Sequence, residues 1–161
     1  MRKHSNNLLM VAAVLCTIML LVMVISLQYS GKQTKGAFTP PPFAENTVQG
    51  TPNVPDNLGW GELDAQVYKV SLCGVFQPIE NVADIWLTNP VSNTVWMKLR
   101  VLDVEGNILG ETGLVQPGEY LQSIRLDSVP PSGTAIQLKI MAYEPNTYHS
   151  AGAVSLNTTV Q

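Results

Sequence analysis

The residues best suited to binding or chemistry are gathered near the end of the chain, where residues 143–150 read YEPNTYHS. This segment holds two tyrosines, one acid and His149, the only histidine besides His4. Aromatic side chains in loops on a β scaffold commonly form binding surfaces for proteins or glycans. Alternatively, the tyrosine rings only cover the core. We take Tyr143, Tyr148 and His149 as candidate partner-binding residues.

Trp96 is the fourth candidate for partner binding. It belongs to a segment, residues 95–103, in which side chains alternate between an apolar face and a face that carries Trp96, Lys98 and Arg100. An exposed tryptophan there would anchor another subunit, because exposed apolar patches mark interfaces. A tryptophan covered by a loop or by the edge of another sheet would be structural. The sequence leaves both readings open.

Catalytic and cofactor motifs are absent from the sequence. A nucleophilic triad would depend on His149, and no G-x-S-x-G elbow accompanies it. There is no Cys/His cluster with zinc spacing and no glycine-rich phosphate loop. Asp103, Glu105 and Asn107 surround Gly106 as in a calcium loop, but the distal Glu is missing, and a hairpin turn explains them. We predict a non-enzymatic protein with no catalytic, cofactor-binding or metal-binding residues.

The elements that must position these candidates are β-strands. Apolar and polar residues alternate with period two in short segments between turn signals, and no convincing amphipathic helix interrupts them. The predicted strands are 65–73, 84–88, 95–103, 108–112, 120–126, 135–143 and 153–160. About seven strands in about 100 residues predict an all-β, antiparallel, immunoglobulin-like β-sandwich over 65–161. A small barrel is the alternative.

An apolar segment precedes the domain. Residues 8–27 carry no charge, proline or glycine, and twenty helical residues span about 30 Å, the thickness of a bilayer's hydrocarbon core. We predict a single transmembrane helix, with residues 1–7 in the cytoplasm and the domain outside. A cleaved signal peptide is the alternative, although the segment is long and its end is poor cleavage context. A lipoprotein anchored at Cys16 fits less well, because Cys16 lies in mid-segment.

Between the anchor and the domain, residues 28–64 are rich in proline and glycine and show no sustained period. The triplet at residues 40–42 favours polyproline II, and Pro52 and Pro55 disfavour helix or central strand nearby. We predict an extended stalk that ends near Trp60. A ligand for aromatic-lined domains is the alternative for the proline-rich run.

Charge and cysteine content restrict the function further. The formal net charge is −3, and residues 62–161 hold five basic against ten acidic residues. This balance argues against nucleic-acid binding, which needs a basic surface. Cys16 lies in the apolar segment and Cys73 in a predicted strand, so we expect no disulfide within the chain. Cys73 is expected to be a small buried apolar residue.

Two stretches of the domain resemble a known group of proteins. Residues 87–120, LTNPVSNTVWMKLRVLDVEGNILGETGLVQPGEY, and 138–159, LKIMAYEPNTYHSAGAVSLNTT, are similar to short, membrane-anchored β-sandwich proteins of Gram-positive bacteria, some of them linked to mobile elements. They cover about half of the domain. The resemblance implies a surface-exposed accessory protein and brings no functional residues with it.

Together these features predict a single-pass protein of the cell membrane whose extracellular domain binds a partner without catalysis. The expected partner is another envelope or surface protein. A glycan- or wall-binding module is the alternative, and it would need exposed aromatic platforms such as Trp96 or Tyr148. A purely structural role is a third possibility.

Overall fold

The computed structural model describes residues 15–23 and 38–161. The chain forms two units, residues 1–39 and 40–161. In the first, residues 15–23 are helical and lie within the predicted anchor. Among the described residues, no helix combines the length and apolar character needed to cross a membrane. Residues 8–14 and 24–27 of the predicted anchor, the head at 1–7 and the stalk from 28 to 37 lie outside the described residues.

The second unit is built from antiparallel strands in two sheets. The strands are β1 (Thr47–Gln49), β2 (Trp60–Leu63), β3 (Val70–Cys73), β4 (Val82–Asn89), β5 (Trp96–Leu102), β6 (Ile108–Glu111), β7 (Glu119–Arg125), β8 (Ala135–Tyr143) and β9 (Ser150–Thr159). One sheet has the order β1-β7-β4-β3-β2 and the other β6-β5-β8-β9. A short 3-10 helix, Asp56–Leu58, precedes β2.

The core lies between these sheets. Alternate residues of the long strands face inward, as the period of two predicts, and they are almost completely buried. The five-stranded sheet contributes Val70, Leu72, Ala83, Ile85, Leu87, Leu121 and Ile124, and the four-stranded sheet contributes Met97, Leu99, Val101, Leu109, Ile136, Leu138, Ile140 and Ala142. The chain is therefore an all-β sandwich, as expected from the sequence.

The long strands match the sequence prediction closely. Strand β8 has the predicted bounds, and β4 to β7 and β9 differ from their predictions by a few residues. Strand β3 differs more, because it begins at Val70 rather than at residue 65. The amide and carbonyl of Lys69 are bonded to the side chain of Asn93, at 3.0 and 2.6 Å, so this part of the chain pairs with a side chain instead of a strand.

The predicted stalk needs correction in its second half. The second unit begins at Pro40, and β1 and β2 both lie within residues 28–64. Strand β1 pairs with β7, and β2 pairs with β3 from Trp60 opposite Cys73 to Leu63 opposite Val70. Pro52 and Pro55 fall between these two strands, where a missing N–H costs no ladder bond. The prolines therefore mark a connection inside the sandwich, and the domain boundary lies well before Ala65.

A buried asparagine organises the entry to β5. Asn89 is completely buried, and its amide nitrogen donates to the carbonyls of Val95 at 2.8 Å and Val115 at 3.0 Å. Its oxygen accepts from the amide nitrogen of Asn93 at 2.8 Å. This network satisfies polar groups that burial would otherwise leave unpaired. The network contacts Val95, the residue directly before Trp96 and the start of β5.

Candidate binding surface

Trp96 and Tyr143 lie side by side on the outer face of the four-stranded sheet. Trp96 begins β5 and is paired in register with Tyr143, the last residue of β8. Because Met97 and Ala142 next to them are buried in the core, both side chains point away from it. Both are half-buried. Two of the four residues predicted to bind a partner therefore share one face of the sheet.

The loop between β8 and β9 brings Tyr148 to the same place. The Tyr148 amide donates to the Glu144 carbonyl at 3.0 Å, and the Glu144 amide donates to the His149 carbonyl at 2.9 Å. The turn needs positive φ at Asn146 (68°) and Tyr148 (58°). Positive φ is uncommon for a bulky residue, and such strain often accompanies binding sites. The ring of Tyr148 lies 5.4 Å from that of Trp96, tilted by 59°.

Phe43 completes the cluster, and the sequence did not point to it. It lies in the segment before β1, where the Leu114 amide donates to the Pro42 carbonyl and the Ala44 amide donates to the Leu114 carbonyl, both at 2.9 Å. Its ring meets Trp96 edge-on at 4.9 Å, with the planes at 79°. Such edge-to-face contacts are favourable. Phe43 is still 40% exposed, so the cluster remains open to a partner. We call Phe43, Trp96, Tyr143 and Tyr148 the aromatic surface.

His149 lies at the rim of this surface. Its side chain is 80% exposed, and its Nδ1 lies 3.9 Å from a carboxylate oxygen of Glu144. At that distance and exposure the pair contributes little to stability. The Tyr143 hydroxyl lies 3.7 Å from the sulfur of Met141, which occupies the same face two residues earlier in β8. The structure thus brings Trp96 and Tyr148 into ring contact, adds Tyr143 through strand register and leaves His149 exposed beside them.

A row of charges continues the same face. The ammonium of Lys98 lies 2.7 Å from one oxygen of Glu111, and Nε of Arg100 lies 2.8 Å from the other. Lys98 is nearly buried, with 7% of its side chain exposed. Partial burial alone would raise the pKa of Glu111, but the hydrogen bonds and charges of Lys98 and Arg100 outweigh it and hold the pKa below its usual value.

A second aromatic group lies on the outer face of the other sheet. Trp86 and Tyr120 are stacked at 5.8 Å, and the indole N–H of Trp60 donates to the Trp86 carbonyl at 3.1 Å. Trp86 has a φ of 46° at an irregularity in the β4–β7 pairing. A groove of about 470 Å³ lies beside it and is lined by Trp60, Glu62, Gln49 and Thr88 among others. The sequence did not point to this aromatic group, because a β-bulge such as the one at Trp86 leaves no periodic signal.

The Asp103 loop is a hydrogen-bonded turn. One carboxylate oxygen of Asp103 accepts the amides of Glu105 and Asn107 at 2.9 and 2.8 Å, and the other accepts the side-chain amide of Asn107 at 2.8 Å. These bonds lower the pKa of Asp103, the bond from the Asn107 side chain most of all. In the part of the chain that the structure describes, no cluster of three or more His, Cys, Asp or Glu residues could hold a metal ion.

Comparisons with known proteins give one structural likeness. No protein-family model matches the chain. No curated protein matches it either. The chain is similar to the crystal structure of CopC from Methylosinus trichosporium OB3b, with a TM-score of 0.36 and 14% sequence identity, over 63% of this chain and 93% of that one. A likeness at this level carries no inference about activity or ligand.

Proposed function

We propose that this protein is a membrane-tethered, extracellular, non-enzymatic module that binds another envelope or surface protein through the aromatic surface. The observation that carries the proposal is that three separate segments of the chain supply rings to one partly exposed cluster. Aromatic residues are enriched where proteins bind each other, because they bury much apolar area at low cost in conformational entropy. The strained turn at Tyr148 supports the same reading.

The membrane part of the proposal rests on residues 8–27, which contain no charged residue. The large apolar side chains described within that segment, such as Leu15, Met19 and Leu21, are exposed. Exposed apolar side chains of this density favour burial in lipid or against a partner. The seven-residue head with Arg2 and Lys3 favours a cytoplasmic N-terminus. Residues 28–39 then act as the spacer, and the two antiparallel sheets support an immunoglobulin-like class for the domain.

Photo-crosslinking in intact cells tests the binding site. A benzophenone amino acid at Tyr148 of the full chain should give a discrete adduct with a protein of the envelope. The same probe at Val104, which is 76% exposed on the turn after β5, serves as the control. An adduct at Tyr148 and none at Val104 would support the aromatic surface. Equal adducts at both positions, or none at Tyr148, would contradict it.

Topology has its own test. A cysteine introduced at Ser155, an exposed position of β9, should react with an impermeant maleimide in intact cells carrying the Cys16→Ser background. The matched control is a cysteine at Ser5 in the predicted cytoplasmic head, which should react only after permeabilisation. Labelling of Ser5 and protection of Ser155 in intact cells would reverse the proposed orientation.

A glycan- or wall-binding role is the second candidate, and the groove beside Trp60 favours it. Its lining combines an indole with acid, amide and hydroxyl groups from Glu62, Gln49 and Thr88, and an aromatic ring beside a few polar groups is typical of small-molecule sites. Co-sedimentation of the full chain with purified cell wall tests it. Wall binding that Glu62→Gln reduces and Tyr148→Ala leaves unchanged would favour this role over the first.

A further inference from the structure

The outer face of the four-stranded sheet is basic, although the domain around it is acidic. Lys98, Arg100 and Lys139 lie on this face and are three of the five basic residues between residues 62 and 161, which also hold ten acidic ones. Leu99, Leu138 and Ile140 beside them are buried, so the three basic side chains point outward. This face therefore concentrates positive charge on a domain whose net charge is negative.

One carboxylate on this face, that of Glu111, is bonded to two of the three cations, Lys98 and Arg100. Glu111 lies 2.7 Å from Lys98 and 2.8 Å from Arg100. Lys139 is paired directly opposite Arg100 across the β5–β8 ladder. Like charges directly opposite each other on a sheet destabilise it. An anionic group placed over Arg100 and Lys139 would relieve this repulsion.

The patch continues directly from the aromatic surface. Trp96 and Arg100 lie on the same face of β5 and are four residues apart, which is about 13 Å along the strand. Tyr143 and Lys139 have the same separation along β8. An extended peptide covers this distance in about four residues. The face therefore presents rings at one end and two adjacent cations at the other.

We infer that this face recognises an acidic, extended segment of a partner polypeptide, in which an apolar or aromatic side chain and a carboxylate are separated by about four residues. The inference rests on the proposed function and names the chemistry of the partner. The apolar residue would contact Trp96 and Tyr148, and the carboxylate would bind between Arg100 and Lys139. Paired Arg and Lys donors suit a carboxylate well.

An anionic polymer of repeating phosphates fits the face less well. Lys98 and Arg100 are both bonded to Glu111, but only 7% of the Lys98 side chain is exposed, against 36% of the Arg100 side chain. The cations that a ligand can reach are therefore Arg100 and Lys139, which is half-buried. Binding to a polyanion depends on many exposed cations acting together. With two cations, most of the affinity has to come from the rings, which a polymer of glycerol and phosphate cannot use.

Fluorescence anisotropy with labelled peptides tests the inference on the full chain in a mild detergent. The probe is a peptide of about ten residues, which is long enough to cross the face. It carries one Phe and, about four residues away from the Phe, two adjacent Glu residues. Two control peptides carry Lys in place of Glu, or the Glu pair next to Phe. We expect saturable binding of the probe and at least about tenfold weaker binding of both controls, because charge sign and spacing both have to match.

Charge reversal on the protein provides the matched pair. Lys139→Glu should weaken binding of the probe by about tenfold or more. Lys69→Glu makes the same charge change at an exposed site outside the face and should change the affinity for the probe by less than about threefold. Added salt should weaken binding to the native chain more than binding to the Lys139→Glu variant. Equal effects of the two reversals would overturn the inference.

Three further outcomes would overturn this inference, and the first of them leaves the proposed function standing. If the envelope adduct at Tyr148 forms equally in the native chain and in the Lys139→Glu variant, the acidic-segment inference is wrong and the binding function stands. If polyglycerol phosphate binds and displaces the Phe/Glu probe at equal monomer concentration, the ligand class is wrong. The Tyr148→Ala variant tests whether the rings and the cations are both needed. If this variant binds the probe as tightly as the native chain does, and binds the peptide with Glu next to Phe equally well, recognition at two points is wrong.

Discussion

Phe43 meets the indole of Trp96 edge-on, with the ring centroids 4.9 Å apart, although 53 positions of sequence separate the two residues. The contact ties the segment before β1 to the start of β5. It also explains why residues just after Pro40 belong to the folded unit.

This ring contact should be measurable as a coupling energy. A double-mutant cycle with Phe43→Leu and Trp96→Leu should give about 0.5–1.5 kcal/mol of coupling in denaturant unfolding, as edge-to-face aromatic pairs do. A parallel cycle with Phe43→Leu and Val104→Ala, a distant exposed residue, should give a coupling near zero. Coupling of similar size in both cycles would show that the ring contact is not specific.

Gly113 controls the position of the segment that carries Phe43. A Cβ at Gly113 would lie 2.6 Å from the carbonyl carbon of Phe43 and would also collide with the amide nitrogen of Ala44. Gly113→Ala should therefore lower the free energy of unfolding by about 1–3 kcal/mol. The matched control is Gly61→Ala, where a Cβ meets nothing within 4 Å. Thermal unfolding measures the stability of both variants. Equal losses of stability in Gly113→Ala and Gly61→Ala would argue against this backbone contact.

The buried amide of Asn89 should be costly to remove. Asn89→Ala removes the side-chain donor to the Val95 carbonyl and one of two donors to the Val115 carbonyl, which keeps the Met97 amide. We expect a loss of about 1–3 kcal/mol in the free energy of unfolding. Asn157→Ala removes only an exposed bond from Gln137 at 3.2 Å and should change stability by less than about 0.5 kcal/mol. Urea unfolding at neutral pH separates these cases, and a small loss for Asn89→Ala would contradict the network.

Glu111 should make stability depend on pH in the acidic range. Its pKa is lower in the folded protein than its ordinary value of 4.5. The carboxylate therefore adds stability that is fully present above about pH 4.5 and is lost as the pH falls through the lower, folded-state pKa. Glu111→Gln should flatten the stability profile below pH 4.5. Glu62→Gln, on the other sheet, is the control, and an unchanged slope for Glu111→Gln would refute the prediction.

Cys73 should be almost inert while the protein is folded. Its side chain is 1% exposed, and burial raises the pKa of its thiol to about 11, with the charge of Asp84 as a second cause. In a Cys16→Ser background at pH 8, the thiolate fraction alone should slow reaction with a disulfide reagent about 100-fold relative to an ordinary thiol. Unfolding in denaturant should release one fast-reacting thiol. Rapid labelling of the native protein would mean that the segment around β3 opens readily.

The sequence by itself determined the strands that form the core. Strands β5 and β8 alternate with period two and pack their apolar faces inward, so local pattern and burial agree, and the all-β sandwich follows from them. The outward position of Trp96 and the hairpin at Asp103 follow from the same local rules. Cys73 is buried as expected.

Only the tertiary structure decided which strands pair and which residues become neighbours. Strands β1 and β2 are short edge strands with little periodic signal, and only pairing with β7 and β3 makes them strands. Asn93 ends the predicted extension of β3 through two side-chain bonds. Phe43 joins Trp96, and Lys139 faces Arg100, through contacts between residues distant in sequence. Periodicity reports which face a residue occupies, whereas its neighbour on that face depends on strand order and register, which no local pattern encodes.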